Sequence, residues 1–274
     1  MELEAPTLAS EAVGHLGFFE IRNTMLMAWL AVLVLVCIAA LGRARGYKTI
    51  PSRFQALLEI IVEGIYGLAE GVLANAQAAR RVFPFVATIL LFILAANWMG
   101  IFPGVGSIVI NTVHEGHDVV VPLFRSMNAD VNMTLALAMS AIIYVHAIGI
   151  ATLGPIPHIT KFLVPPWRSP YLIGTAVGLL EFVGEFSRII SFSFRLFGNI
   201  FAGEVLLVVV SFLVPYAAPI PFMGLELFVG FIQALVFSML TLVFLGMSME
   251  GHGDHDEHDH MSKTELSRRV LNQT

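Results

Sequence analysis

The chain has 274 residues, 57% of them hydrophobic and only 13% charged, with 15 Lys and Arg against 20 Asp and Glu for a net charge of −5. That charged share is close to half of the roughly 25% usual in soluble proteins, and a soluble surface made from it would carry large apolar patches. Composition therefore argues against one soluble domain with a greasy core and for a chain that crosses a membrane.

The N-terminal stretch MELEAPTLASEAVGHLGFFE holds four Glu and no Lys or Arg. A secretory signal needs a basic start followed at once by an apolar run, so the first span is expected to be retained, with residues 1–22 ahead of it. Residues 23–42 are uncharged, enough for one membrane-crossing helix. The single Cys37 lies in this run without a partner and reads as a small buried hydrophobe, not a catalytic thiol. Arg43, Arg45, Lys48 and Arg53 follow. Over 53–78 the pattern changes: Glu59, Glu63, Glu70 and Gln77 fall on one helical face. An amphipathic helix lying at the interface and a helix packed on other spans with one wet face predict this same pattern.

Arg80 and Arg81 precede a second span near 83–101, closed by Pro103. A polar loop with His114, Glu115, His117, Asp118 and Arg125 comes next. Asp130 then stands at an N-cap position before a third span that reaches about Thr152, so that 83–153 holds two spans and their outer loop. His146, in mid-span, reads as a hydrogen-bonded interior histidine. Residues 154–170 contain five of the 13 prolines and form an irregular connection. From 171 to 214 there is no proline. Such a helix would be roughly 60 Å long, about twice the hydrocarbon thickness, and must tilt, bend or project. PYAAPIP breaks the chain at 215–221, and a last helical stretch runs from 222 to 249. Residues 171–249 are thus expected to form a long tilted hairpin. In the tail, 250–274, His252, His255, His258 and His260 alternate with acids. A solvated tail is the simpler reading, with a metal site as the alternative. The expected fold is an all-α integral membrane protein with about five crossing helices and one interfacial amphipathic helix.

Lys and Arg are distributed unevenly. With five crossings, eleven fall on one side, in 43–53, 80–81, 157–169 and the tail, and only Arg22 and Arg125 on the other. The positive-inside bias then places the N-terminus outside and the C-terminus in the cytoplasm.

The long hairpin carries Glu181, Glu185, Arg188, Arg195, Glu204 and Glu226, together with Asn199 and Gln233. Ionisable groups at membrane depth are costly and by default mark an ion or substrate path. At 100° per residue Glu181, Arg188, Arg195 and Asn199 share one stripe within about 40°. Glu204 points to the opposite side, and Glu226 and Gln233 share a face of the following helix. Pairing of these charges purely for structure is the competing reading. Acids outnumber bases here by four to two, and acids without permanent partners in apolar surroundings can shuttle protons.

RLFGNIFAGE at 195–204 resembles the signature of the a subunits of F-type ATP synthases. QALVFSMLTLVFL at 233–245 is similar to the last helix of that family, and NADVNMTLALAM at 128–139 fits it as well. The resemblance implies a stator subunit that abuts the rotating ring of c subunits in a bacterial plasma membrane. It couples proton flow to rotation and to ATP synthesis in a separate head, and is not an enzyme by itself. Peripheral-stalk b subunits, the rest of the synthase and the bilayer are its implied partners; no cofactor, metal or nucleic acid is expected. No phosphate-binding loop of the GxxxxGK[ST] type is present, and ATP binding by this chain is not expected.

Carried over residue by residue, the resemblance makes Arg195 the ion-coupling arginine that faces each c-subunit carboxylate. Asn199, Glu204, Glu226 and Gln233 map to the outer half-channel; some members carry His at one of the two acidic positions. Glu181, Glu185, Arg188 and Ser191 map to the inner half-channel, Arg188 being expected to pair with Glu181 or Glu185. Asp130, His114 and Glu115 are candidates for the outer mouth, where an ordinary cap and polar loop compete with that role. A stand-alone secondary ion or metal transporter is the alternative function; the internal repeats and broken helices common in that class are not evident.

Overall fold

A computed structural model describes residues 10–16, 19–46, 48–102, 104–114, 117–156, 173–215 and 217–249. Six helices dominate these residues: α1 Asn23–Ala44, α2 Arg53–Leu73, α3 Ala76–Ile101, α4 Val131–Leu153, α5 Ile173–Leu213 and α6 Pro219–Met249. All but α2 are long and apolar enough to cross a membrane, so the protein is an all-α multi-pass membrane protein.

Local chemistry sets the helix boundaries. The Ser52 hydroxyl accepts from Gln55 N and caps α2. Ala74 then turns the chain through the left-handed region at φ 48°, and the Asn75 side chain accepts from Gln77 N and Ala78 N to start α3 at once. The second crossing helix therefore begins seven residues before the expected 83, and Arg80 and Arg81 ride on its first turns. Pro84 lies inside α3. Its carbonyl accepts from the Thr88 hydroxyl at 2.7 Å. The left-handed Gly154, at φ 89°, ends α4. Pro219 and Pro221 sit in the first turn of α6, where a missing N–H costs no helical hydrogen bond.

Two small antiparallel hairpins add strand to the expected all-α picture. β1 Ala12–Leu16 pairs with β2 Phe19–Arg22, and β3 Val109–His114 with β4 His117–Pro122. Much of the polar loop between the second and third crossing helices is thus a ribbon. Its strands, VINTVH and HDVVVP, are rich in the β-branched residues that favour extended backbone.

Helix α3 is central, packed on α1, α2 and α6, while α4 packs on α5 and α6. One buried cluster joins Ile89 and Ile93 of α3, Ala138 and Ala141 of α4, Phe192 and Leu196 of α5, and Ala234 and Phe237 of α6. A second joins Ala69, Ala79, Val82, Val145, Leu242 and Leu245. Alanines recur at these contacts because, without a hydrophobic drive inside lipid, helices associate through close van der Waals approach. Large apolar side chains cover the outside instead, Leu33, Val36, Phe186, Phe212 and Phe228 among them. Cys37 is also exposed there, contrary to the expected burial, because only the first part of α1 is packed inside.

The tail with its histidines and most of the proline-rich connection lie outside the described residues, as does Glu115.

Candidate functional site

Helices α5 and α6 run side by side, and their polar side chains meet at successive levels. The helical rise puts Glu204 about 13 Å along α5 from Arg195, and Asn199 about 6 Å from it. At the first level Glu204 meets Arg125, which stands just before a short 3-10 turn, Met127–Ala129. Arg125 Nε lies 3.0 Å from Glu204 Oε1 and Nη2 lies 3.2 Å from Oε2. This is a forked pair, with the guanidinium side chain 5% exposed. Glu226 of α6 is 6% exposed. Its carboxyl occupies the space beside Gly203, where a β-carbon would collide with it.

Further along, Asn199 Nδ2 donates to Gln233 Oε1 at 2.5 Å. Gln233 is buried, and its Nε2 has no hydrogen-bond partner among the described residues; neither has the buried Ser238 hydroxyl. Arg195 follows. It lies on the exposed face of α5 and donates to the Ser191 hydroxyl at 3.4 Å. No carboxylate of the described residues pairs with it. Its neighbours at helical spacing on that face, Ser187, Ser191, Asn199 and Ala202, are short and also exposed.

Toward the start of α5, Arg188 pairs with Glu185 three residues earlier and lays its guanidinium 4.5 Å from the centre of the Phe244 ring of α6. His146 Nε2 of α4 approaches Glu185 Oε2 at 3.7 Å. Glu181, one turn earlier, is half-buried. The expected partnership of Arg188 with one of the two acids thus falls to Glu185. Between α4 and α5 the Thr134 and Ser193 hydroxyls meet at 3.1 Å.

Asp130 is 2% exposed. It caps α4 by accepting from Asn132 N and also accepts from the Ser10 hydroxyl at 2.5 Å and the Thr24 hydroxyl at 3.2 Å. The cap thereby ties the N-terminal segment and α1 to the start of α4. His114 and His117 are register partners in the second hairpin.

Two residues of this neighbourhood, Gly203 and Asn97, drew no notice in the sequence, and two were read differently: Arg125 counted only as an outer charge, and His146 as a hydrogen-bonded interior histidine. Asn97 accepts from Asn128 Nδ2 at 2.6 Å and donates to the Gly230 carbonyl at 2.9 Å, joining α3 to the segment before α4 and to α6. The Asn128 Oδ1 has no hydrogen-bond partner among the described residues. Chemically, the set offers carboxyl, amide and hydroxyl groups that accept and release protons or hydrogen-bond water, and one permanent cation facing outward. Among the described residues no cluster of His, Cys, Asp and Glu could hold a metal ion.

Residues 25–246 match the family model described as ATP synthase A chain. The chain is 31% identical over 241 residues to ATP synthase subunit a of Syntrophobacter fumaroxidans, covering 88% of this chain and 90% of that one. Similarity to the protein of the same name from Helicobacter pylori is 33% over 243 residues, with 86% and 96% covered. For that of Campylobacter fetus it is 33% over 248 residues, with 90% and 98% covered.

Proposed function

The chain belongs to the ATP synthase A chain family, the stator subunit of the F-type enzyme in proton translocation, and from that membership we propose that Arg195 couples proton flow to a ring of c subunits sliding past α5. The subunit is a component of the synthase and not an enzyme by itself. One observation carries the reading: a guanidinium in mid-helix, on an exposed face among short side chains, without a carboxylate partner among the described residues. Such a charge is expensive next to lipid. A partner that brings a carboxylate to it removes that expense, and the short side chains around it give the partner room.

In this reading a proton enters from outside along Glu226, Asn199 and Gln233, with Glu204 beside them, and neutralises a c-subunit carboxylate. The neutral carboxyl faces lipid cheaply and the ring turns. On returning, the carboxyl meets Arg195, which cannot shed its own proton and so favours the carboxylate. The proton leaves by the inner path of Ser191, Arg188, Glu185 and Glu181. Each charge that crosses gains about 2.3 kcal/mol per 100 mV. Asp130 shapes the outer mouth through its cap, with His114 and Glu115 nearby in sequence on the loop. Peripheral-stalk b subunits hold the stator in place. The protein sits in a bacterial plasma membrane, with the N-terminus outside and the C-terminus in the cytoplasm, in line with its uneven Lys and Arg distribution. Neither the relatives nor the geometry supports a stand-alone transporter.

The test is Arg195→Ala in the assembled synthase. The complex should assemble and hydrolyse ATP, yet inverted vesicles should show no ATP-driven acidification. Normal acidification by that variant would refute the assignment.

A further inference from the structure

Helices α1 and α2 enclose a cleft of about 740 Å³, with Thr88 and Leu91 of α3 at its floor. Its walls are apolar, from Leu35, Val36 and Ile38 of α1 and from Leu58 and Val62 of α2. The two helices come together at Gly42, where a β-carbon would stand 3.0 Å from Leu58 Cδ1. From Arg45 back to Leu35 the helical rise gives the cleft a length of about 15 Å along α1.

Charged groups line this cleft from both helices. Arg45 and Lys48 belong to it, and among the described residues no carboxylate pairs with either. The Arg45 guanidinium lies 5.0 Å from the centre of the Phe54 ring, a cation–π contact that orients it. Lys48 is fixed through its backbone: its N–H donates to Gln55 Oε1 at 3.2 Å, and its carbonyl accepts from Gln55 Nε2 at 3.1 Å. The same Gln55 Nε2 donates to Glu59 Oε1 at 2.8 Å, so one amide holds a carboxylate beside the basic turn. Glu63, one helical turn on, lines the cleft as well. We propose that the cleft binds one phospholipid of the phosphatidylethanolamine class, its phosphate on Arg45 and Lys48, its ammonium donating to Glu59 and Glu63, and its acyl chain along α1.

Charge complementarity selects this occupant. Basic pockets between membrane helices bind phospholipid phosphates, but here two acids accompany the two cations, and the lining is neutral with both signs present. A purely anionic headgroup would satisfy the cations and face the acids unpaired. A primary ammonium, like that of Lys, brings three donors for carboxylates, and such charge-assisted hydrogen bonds are the strong ones. A quaternary choline brings no N–H at all. Acyl chains of any phospholipid suit the apolar walls, so selectivity resides in the headgroup. The inference is independent of the proton path.

The experiment uses the intact synthase in phosphatidylcholine vesicles carrying a trace of phosphatidylethanolamine with a diazirine in its acyl chain. Matched phosphatidylglycerol and phosphatidylcholine probes are run in parallel. After illumination, mass spectrometry reads labelling of the cleft residues relative to the rest of the chain. The ethanolamine probe should label the cleft at least about fivefold more than either other probe. Arg45→Ala with Lys48→Ala should lower that labelling to the choline level. Glu59→Gln with Glu63→Gln leaves a net positive lining, and the glycerol probe should then label at least as strongly as the ethanolamine probe. Equal labelling by all three probes in the wild type means ordinary bilayer contact and overturns the proposal. So does a preference for the glycerol probe, which makes the site one for anionic lipid, and so does a cleft labelled by no probe, which means that a helix of another subunit fills it. Should the Arg45 and Lys48 variant fail to assemble, the Glu59 and Glu63 variant keeps every basic residue of the turn, and an unchanged ethanolamine preference in it overturns the assignment.

Discussion

The carboxyl group of Glu226 fills the space that a β-carbon at residue 203 would take. Glycine at 203 is therefore a matter of room: the chain is helical there, and no unusual backbone angle calls for it. Gly203→Ala should leave assembly intact, because the colliding atoms belong to the far end of a side chain that can swing away. Displacing that carboxyl by about 1 Å or more should lower coupled proton pumping by about tenfold or more. Adding Glu226→Asp, which draws the carboxyl back by one methylene, should recover part of it. Full pumping by Gly203→Ala would show that the seat of this carboxyl does not matter.

The contact between Asn199 and Gln233 joins the two helices midway between Glu204 and Arg195. Gln233→Leu keeps the volume and removes the acceptor. The lost bond between polar side chains is worth about 1 kcal/mol, with more for the group left unpaired. Pumping by Gln233→Leu and by Asn199→Leu should fall, and the double variant should fall by clearly less than the two effects combined. Strict additivity would mean that the two side chains act independently.

Asp130 offers a way to separate architecture from transport. Asp130→Ala removes the cap of α4 and the anchor of Ser10 and Thr24, and should destabilise the subunit by about 2–3 kcal/mol. Thermal unfolding of the complex in detergent reads this. Asn is as good a cap as Asp, and Asp130→Asn should keep both stability and pumping. Retained stability with lost pumping would give Asp130 a direct part in the path.

Orientation is open to chemical labelling. In a Cys37→Ser background, Ser107→Cys in the outer loop should react with a membrane-impermeant maleimide added to intact cells. Ile50→Cys, 86% exposed in the loop after α1, should react only in inverted vesicles. The reverse pattern would turn the subunit over in the membrane.

Much of the site was legible without coordinates because helical periodicity is local. The stripe containing Arg195, Asn199 and Arg188 follows from 100° steps along one helix, and so does the separation of Glu204 from it. Asp130 announced its cap by standing before an uncharged helical run. Arg125 was opaque for the opposite reason. It lies in an irregular stretch, 79 residues from Glu204, and no period relates a loop residue to a helix. Asn97 and Gly230 are 133 residues apart, and only the crossing of α3 with α6 brings them together. The strands of the second hairpin were concealed by the histidine and charged residues of 114–118, although their β-branched composition was on view.

Hydropathy and spacing alone determined that this chain crosses a membrane several times, that its last two helices carry the polar groups, and that a permanent positive charge lies in their midst. Those properties belong to single helices and survive any rotation of one helix against another. Which carboxyl meets a cation, which rests on bare backbone, and which amide finds an acceptor depended on how α5 and α6 turn toward each other and where the outer loop folds down. Only close packing between segments far apart in the chain decides that, since hydrogen bonds and ion pairs form over about 3 Å and a helix rotated by one residue presents a different side chain.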